Sequence, residues 1–323
     1  MKELLFVSAQ PDVLYFHWQT ELYVNNFILK GINPKNIHVI FGLPEGQEEL
    51  SERASQLKST GVNVHHFKDD RILKHYIPSI KPYLIKKWLE KDSKHGKLFF
   101  LHDSDIVFRE LPDFDNLVDN EDNYVSDTKG YIGLDYIKSC EQKYKNKYPQ
   151  LNETPIIDLM SEIVGVNKFI LEQNNRHVGG AQYLLKNQEV DIWDKIYHDS
   201  NKLYFKLLEF QKKHPLDDGH LQVWTAEMWS LLWNQWLYGY RTKVSDSLSF
   251  SWGSDDVKKY EQKYILHMAG VTEDKKDHKF YKGDFIEIDP IEKLRDNINY
   301  FDYIDTESAT IKYIDIMKSY VKK

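Results

Sequence analysis

Lys97-Leu98-Phe99-Phe100-Leu101-His102-Asp103-Ser104-Asp105-Ile106-Val107-Phe108 is the stretch that decides how this chain is read. A short apolar run, Leu98 to Leu101, ends in two carboxylates spaced i, i+2, and a second apolar run follows. A run of about four to eight apolar residues bounded by polar ones predicts a buried strand. In an open α/β sheet the carboxyl ends of the strands line the ligand crevice. Two acids placed there, Asp103 and Asp105 with the small Ser104 between them, are able to share a hard divalent cation, Mn2+ or Mg2+. Such a cation keeps positions for water and phosphate oxygens, so the pattern points to a diphosphate-linked substrate. Asp113-Phe114-Asp115 has the same spacing but no strand leading into it, and it reads as a solvated loop after Pro112.

Working outward, strand and helix signals alternate through residue 101. Strands are predicted over Leu4 to Ser8, Ile37 to Phe41, Val62 to Phe67 and Leu98 to Leu101. Between them lie helical patterns over Tyr15 to Leu29, ending at Gly31, over Glu48 to Lys58, and over Pro82 to Lys91 with proline early in the helix. Gly42-Leu43-Pro44 reads as a turn. This alternation implies a mostly parallel sheet with flanking helices. The second half is less regular. Tyr124 to Thr128 and Tyr264 to His267 read as strands, and Val178-Gly179-Gly180 as a glycine turn entering a strand. Asp135 to Tyr148, Ile156 to Glu172, Glu189 to Lys212 and the Trp-rich Asp218 to Trp236 read as helices. Residues 1–288 are expected to form one α/β domain and 289–323 a C-terminal helical addition, with Lys318 to Lys323 as a solvated tail.

Composition narrows the classes. A net charge of −7 argues against a generic electrostatic nucleic-acid binder, although 43 Lys and Arg leave room for a local basic groove. Cys140 is the single cysteine, so no intrachain disulfide forms and a reducing compartment is expected. No run approaches the ~18 apolar residues of a membrane span. A soluble, cytoplasmic protein of bacterial or phage-infected cells is the expectation.

With its segments in order, the chain resembles a GT-A glycosyltransferase, and more narrowly the hydroxyproline O-arabinosyltransferase and peptidyl-serine galactosyltransferase group. Five blocks carry the resemblance: Tyr15-Phe16-His17-Trp18-Gln19; Ile80-Lys81-Pro82-Tyr83-Leu84, where that group tends to have an Arg-Pro step; Asp103 to Phe108 with Leu111-Pro112; Val178-Gly179-Gly180 with Leu184-Leu185; and Trp224 to Trp229 followed by Ile265-Leu266-His267 and Lys282-Gly283-Asp284. The resemblance implies a Rossmann-like GT-A fold and a UDP-sugar donor. It implies that Asp105 is the principal metal carboxylate, Asp103 its partner, and His267 the late histidine that completes the metal shell. Gln10, Trp18 and Gln19 would receive the nucleotide base, Lys81 would face the diphosphate as a point cation, and Ser104 joins this donor-binding set. Gly179 and Gly180 would form the acceptor wall, with His177 and Gln182 nearby.

Each assignment has a plainer alternative. Trp18 on an amphipathic helix also reads as core, and Lys81 as a surface lysine. Trp224, Trp229, Trp233 and Trp236 recur at helical spacing, which favours core over a stacking platform. Glu227 lies among them, and a carboxylate in an apolar setting tends to a raised pKa, which suits a general base. Asp217 and Asp218 compete with it, although Asp218 also reads as a cap of the same helix. The expected activity is metal-dependent transfer of arabinose, galactose or glucose to an acceptor hydroxyl. The residues leave open the sugar, the stereochemistry and the acceptor, whether a hydroxymethylated phage DNA base, a protein or a cell-surface glycan. Rival readings are a non-catalytic nucleotide-sugar-binding module and a metal-dependent nuclease or phosphatase.

Overall fold

The computed structural model describes residues 3–322. Its strands are β1 (Leu5–Pro11), β2 (Ile37–Leu43), β3 (Asn63–Lys68), β4 (Leu98–Leu101), β5 (Ile106–Phe108), β6 (Asn123–Asp127), β7 (Gly179–Lys186), β8 (Thr242–Val244), β9 (Phe250–Trp252) and β10 (Ile265–His267). The fold is mixed α/β with a mostly parallel main sheet and flanking helices. The chain divides into two compact units, one of Met1–Asp69, Phe100–Val118 and Ser247–Lys323, the other of Asp70–Phe99 and Asp119–Asp246. The first half of β4 counts with the second unit and its second half with the first.

In the first unit the strand order is β3-β2-β1-β4. β1 pairs parallel with β2, and β2 parallel with β3. Between β1 and β2 runs the helix Leu14–Leu29, which buries Trp18, Leu22, Tyr23 and Phe27 completely. It stops where Gly31 turns to φ 92°, a left-handed conformation that glycine adopts without steric cost. A second sheet has the order β5-β10-β9, with β10 antiparallel to β5 and parallel to β9. Helices Pro290–Asp296 and Thr310–Val321 join Trp18, Phe280, Phe285, Phe301 and Tyr313 in one core cluster. Each such side chain contributes roughly 1.5–3 kcal/mol on full burial. The two helices are separated by turns over 297–309, and by contacts residues 289–323 group with this unit.

In the second unit the order is β4-β7-β6-β8, with β6 antiparallel to β7 and parallel to β8. Helices Ile80–Lys91, Leu134–Lys147, Pro155–Val164, Val190–Lys213 and Ala226–Leu237 belong to it. Trp229, Trp233, Tyr144 and Met160 are at most 1% exposed in its core.

The structure corrects several sequence boundaries. β2 continues to Leu43, so the turn expected at Gly42 begins later. The charged helix expected from Glu48 is only Glu52–Gln56, capped by the Ser51 hydroxyl, with a 3-10 turn behind it. Ile156 to Glu172 is two helices, because Gly165 turns to φ 76° and Asn167 caps a new helix at Lys168–Asn174. The Trp-rich helix begins at Ala226, and 218–222 is irregular. Lys318 is not part of a free tail: it lies in the last helix and its ammonium meets Asp302 at 2.8 Å. Lys323 lies outside the described residues.

Candidate metal centre and donor site

β4 delivers His102 against β1, where its N–H donates to the Val7 carbonyl at 3.0 Å. Residues 103–105 then turn the chain into β5. The antiparallel register sets His267 opposite Ile106, and the Met268 N–H donates to the Asp105 carbonyl at 2.9 Å. This pairing brings together residues more than 160 positions apart. His267 Nε2 lies 3.2 Å from Asp105 Oδ1 and 3.7 Å from Asp103 Oδ2. One ligand atom from each of Asp103, Asp105 and His267 lies within 4.8 Å of the others. Asp105 and His267 are buried, whereas the Asp103 side chain is 33% exposed, so solvent reaches the cluster.

Lys282 Nζ donates to Asp105 Oδ2 and sits 5.9 Å above the Tyr15 ring. Burial opposes the Asp105 charge, but Lys282 and His267 outweigh it and hold the carboxyl far below its usual range. Burial likewise opposes the Lys282 charge, and Asp105 with Tyr15 more than restores it, raising this ammonium above its ordinary value. Lys282 stands in a block quoted for the family resemblance but was not among the expected site residues. Its sequence signal was that block alone; the ion pair with Asp105 comes from a segment 177 residues away.

The donor-side residues fall into three groups. Ser104 is buried and its hydroxyl donates to the Gln19 side-chain oxygen at 3.2 Å, while Gln19 Nε2 donates to the Tyr15 carbonyl at 2.6 Å. Gln19 thus holds the acidic turn against the first helix. Trp18 is fully buried, packs edge-on to Phe280 and Tyr313, and donates its Nε1 to the Phe285 carbonyl at 3.3 Å. Its indole is core and presents no face to a base, which corrects the expected stacking role. Gln10, near the end of β1, is 3% exposed, and neither atom of its amide has a hydrogen-bond partner.

The remaining candidates lie in the second unit. Glu227 occupies the first turn of Ala226–Leu237 and is buried. Its setting is not wholly apolar: Lys81 Nζ lies 3.4 Å from Oε2. Lys81 is therefore one half of this ion pair. The Tyr76 hydroxyl accepts from the Glu227 N–H at 2.8 Å and donates to the Trp224 carbonyl at 2.6 Å, fixing the helix start. Trp229, Trp233 and Trp236 are core, but Trp224 is 52% exposed. The Asp218 side chain is 93% exposed and lies 3.9 Å from Lys143, and Asp217 faces Lys147 at 3.5 Å. Neither caps the Trp-rich helix, whose preceding residue is Thr225.

Gly179 and Gly180 lie in β7, not in a free turn. A Cβ on Gly179 would fall 2.3 Å from the Ser126 carbonyl, where β6 shifts register. One on Gly180 would meet the Tyr183 hydroxyl at 2.6 Å and Met228 at 2.7 Å. Ala181 follows at φ 65°, a costly conformation for a residue with a Cβ. Gln182 accepts from the Ser126 hydroxyl at 2.6 Å. His177 Nε2 accepts from Arg176 at 3.0 Å, and burial, together with Arg176 and Lys243, lowers its pKa. Close approach of the β6 backbone explains Gly179 as a packing requirement, whereas the nearest neighbours of a Cβ at Gly180 are the side-chain ends of Tyr183 and Met228.

No family model matches the chain and no curated protein matches it. Several solved structures do. The WbbM bifunctional glycosyltransferase in its apo form shares 10% identity at a TM-score of 0.44, over 95% of this chain and 52% of that one. The galactosyltransferase LgtC, in complex with donor and acceptor sugar analogues, shares 11% at 0.41, over 96% and 99%. Mouse xyloside xylosyltransferase 1 shares 9% at 0.41, over 82% and 96%. This chain thus spans about half the length of WbbM. The structures it is similar to are glycosyltransferases, but likenesses this distant assign no activity. Among the described residues, no helix is long and apolar enough to cross a membrane.

Proposed function

We propose that this chain is a metal-dependent GT-A glycosyltransferase that moves a sugar from a UDP-sugar to an acceptor hydroxyl. The observation that carries the reading is the convergence of Asp103, Asp105 and His267, drawn from a strand end and from a second strand far along the chain. Two carboxylates and an imidazole suit Mn2+, with Mg2+ as the harder alternative. Asp105 and His267 would hold the ion, with the more exposed Asp103 completing the set. Bound there, the ion supplies a Lewis acid that neutralises charge on the departing diphosphate. The chain's own groups do the rest. Lys282 adds a positive charge beside Asp105. Gln19 fixes the acidic turn through Ser104. Gln10 offers a paired donor and acceptor, which matches the imide edge of uracil.

On the acceptor side we assign the base to Glu227, with Asp218 as the second candidate, and the acceptor wall to Gly179 and Gly180. The sugar is arabinose, galactose or glucose, the sugars of the two groups the sequence resembles and of modified phage DNA. A hydroxymethylated DNA base is one acceptor and a protein or glycan hydroxyl the alternative; the net charge of −7 favours the latter pair. The lone Cys140 is free and buried, which supports a reducing, cytoplasmic setting. The test is UDP release from a panel of UDP-sugars with Mn2+, followed by mass spectrometry of candidate acceptors. Mn2+-dependent release that EDTA abolishes supports the proposal. Tight UDP binding with no turnover on any sugar would leave a non-catalytic binding module instead.

A further inference from the structure

Asp12 is the first residue beyond β1 and takes no part in the cation cluster. Its carboxylate is buried, and four groups converge on it. His17 Nε2 lies 2.5 Å from Oδ1, and the Ser51 hydroxyl donates to the same oxygen at 2.6 Å. The Ser51 backbone N–H donates to Oδ2 at 2.8 Å, and the Gln47 amide donates to it at 2.6 Å. Burial opposes the charge, but His17 and Ser51 outweigh it and the carboxyl lies below its ordinary range. The trio Asp12, His17 and Ser51 is not a hydrolytic relay. Asp12 meets the same imidazole nitrogen that lies 3.3 Å from Ser51 Oγ, whereas a relay needs the carboxylate on the other ring nitrogen.

Three of the four contacts, those from Gln47 and Ser51, close the segment 44–51 onto Asp12, and the fourth ties Asp12 to His17 of the first helix. That segment leaves the carboxyl end of β2, and the Asp12 N–H donates to the Gly42 carbonyl at 2.9 Å. The loop is therefore pinned where two neighbouring parallel strands end, the edge of a parallel sheet that borders ligands. Two residues before Asp12 stands Gln10, whose buried amide has neither donor nor acceptor satisfied. Burying such a group is costly without a partner, so a ligand that supplies one is favoured there.

We propose that Asp12 is a positioning residue of the donor site. It locks residues 44–51 so that the Gln10 amide is held ready for the planar, hydrogen-bonding base of a nucleoside diphosphate sugar. A preformed loop spares the ligand the cost of ordering it. The inference rests on the nucleotide-sugar reading above.

The test measures UDP affinity by calorimetry in Mn2+, the kcat and KM for the UDP-sugar, and amide exchange of residues 44–51. Wild type is compared with Asp12→Asn and with Gln47→Ala, a half-buried side chain whose loss spares the core. In both variants UDP affinity and KM should worsen by about tenfold, as when the competent loop state falls to roughly a tenth of the population. The kcat should stay within about twofold. Exchange in 44–51 should accelerate without ligand, and UDP should slow it in wild type. Faster exchange with unchanged UDP affinity overturns the inference and leaves the function proposed above intact. Failure of the wild type to bind UDP overturns both.

Discussion

Two lysine–carboxylate pairs in this molecule look alike and differ in what surrounds them. In the first unit Lys282 meets Asp105, and a second carboxylate and an imidazole stand within 4.8 Å. In the second unit Lys81 meets Glu227, with side chains 12% and 3% exposed. At the first pair two carboxylates and an imidazole gather in one place, and Asp103 opens it to solvent. The second is a nearly closed pair at a helix start, tied down by Tyr76. A cluster of three ligand groups at an accessible place suits an exchangeable cation. A buried pair at a helix start is shielded from solvent and serves first to hold structure.

The largest effect should come from breaking the first cluster. Asp105→Ala should lower Mn2+-stimulated turnover by about 10³-fold or more, the scale of losing metal stabilisation of a leaving group. Circular dichroism on the same variant checks that the fold persists. The second pair is tested next by Glu227→Gln. If Glu227 is the base, kcat should fall by roughly 10²–10⁴-fold, well beyond what any lowering of the melting temperature from the lost Lys81 contact accounts for. Retained kcat with a lowered melting temperature would reduce the pair to a structural one and move the base to Asp218.

Stability sharpens the same contrast. Lys81→Met leaves the buried Glu227 without its ammonium and should cost roughly 3–5 kcal/mol, while Lys81→Met combined with Glu227→Leu should recover much of it; urea unfolding of both variants checks this. Among the glycines, Gly179→Ala meets backbone and should cost roughly 1–3 kcal/mol. Gly180→Ala should cost less, because the atoms it meets are the movable ends of Tyr183 and Met228. The smallest effect belongs to Asp218→Asn, whose exposed contact with Lys143 should contribute under about 1 kcal/mol.

The strands of the first half were legible because each is a short buried run between turn residues. β4 spans Leu98 to Leu101 as its apolar letters predict. The acidic turn was legible for the same reason. His267 was found through its place in a family pattern, since nothing local marks it among 13 histidines. For Trp18 the local pattern leaves core and base contact both open: its neighbours Phe280 and Tyr313 lie more than 260 residues away, and tertiary packing decides for core. The break at Gly165 is visible in the sequence only as a glycine inside an apolar period that continues through it; its φ of 76° shows in the structure. Trp224 shares its spacing with three core tryptophans yet precedes the helix that buries them, so periodicity alone could not separate it.

The central claim is that Asp103, Asp105 and His267 form one divalent-cation site. Titrating Mn2+ into the protein by electron paramagnetic resonance, with and without UDP, tests it most directly. The account predicts one bound Mn2+ per chain, tightened by UDP, and lost in both Asp105→Ala and His267→Ala while the two variants stay folded. Unchanged Mn2+ binding in those variants would contradict it.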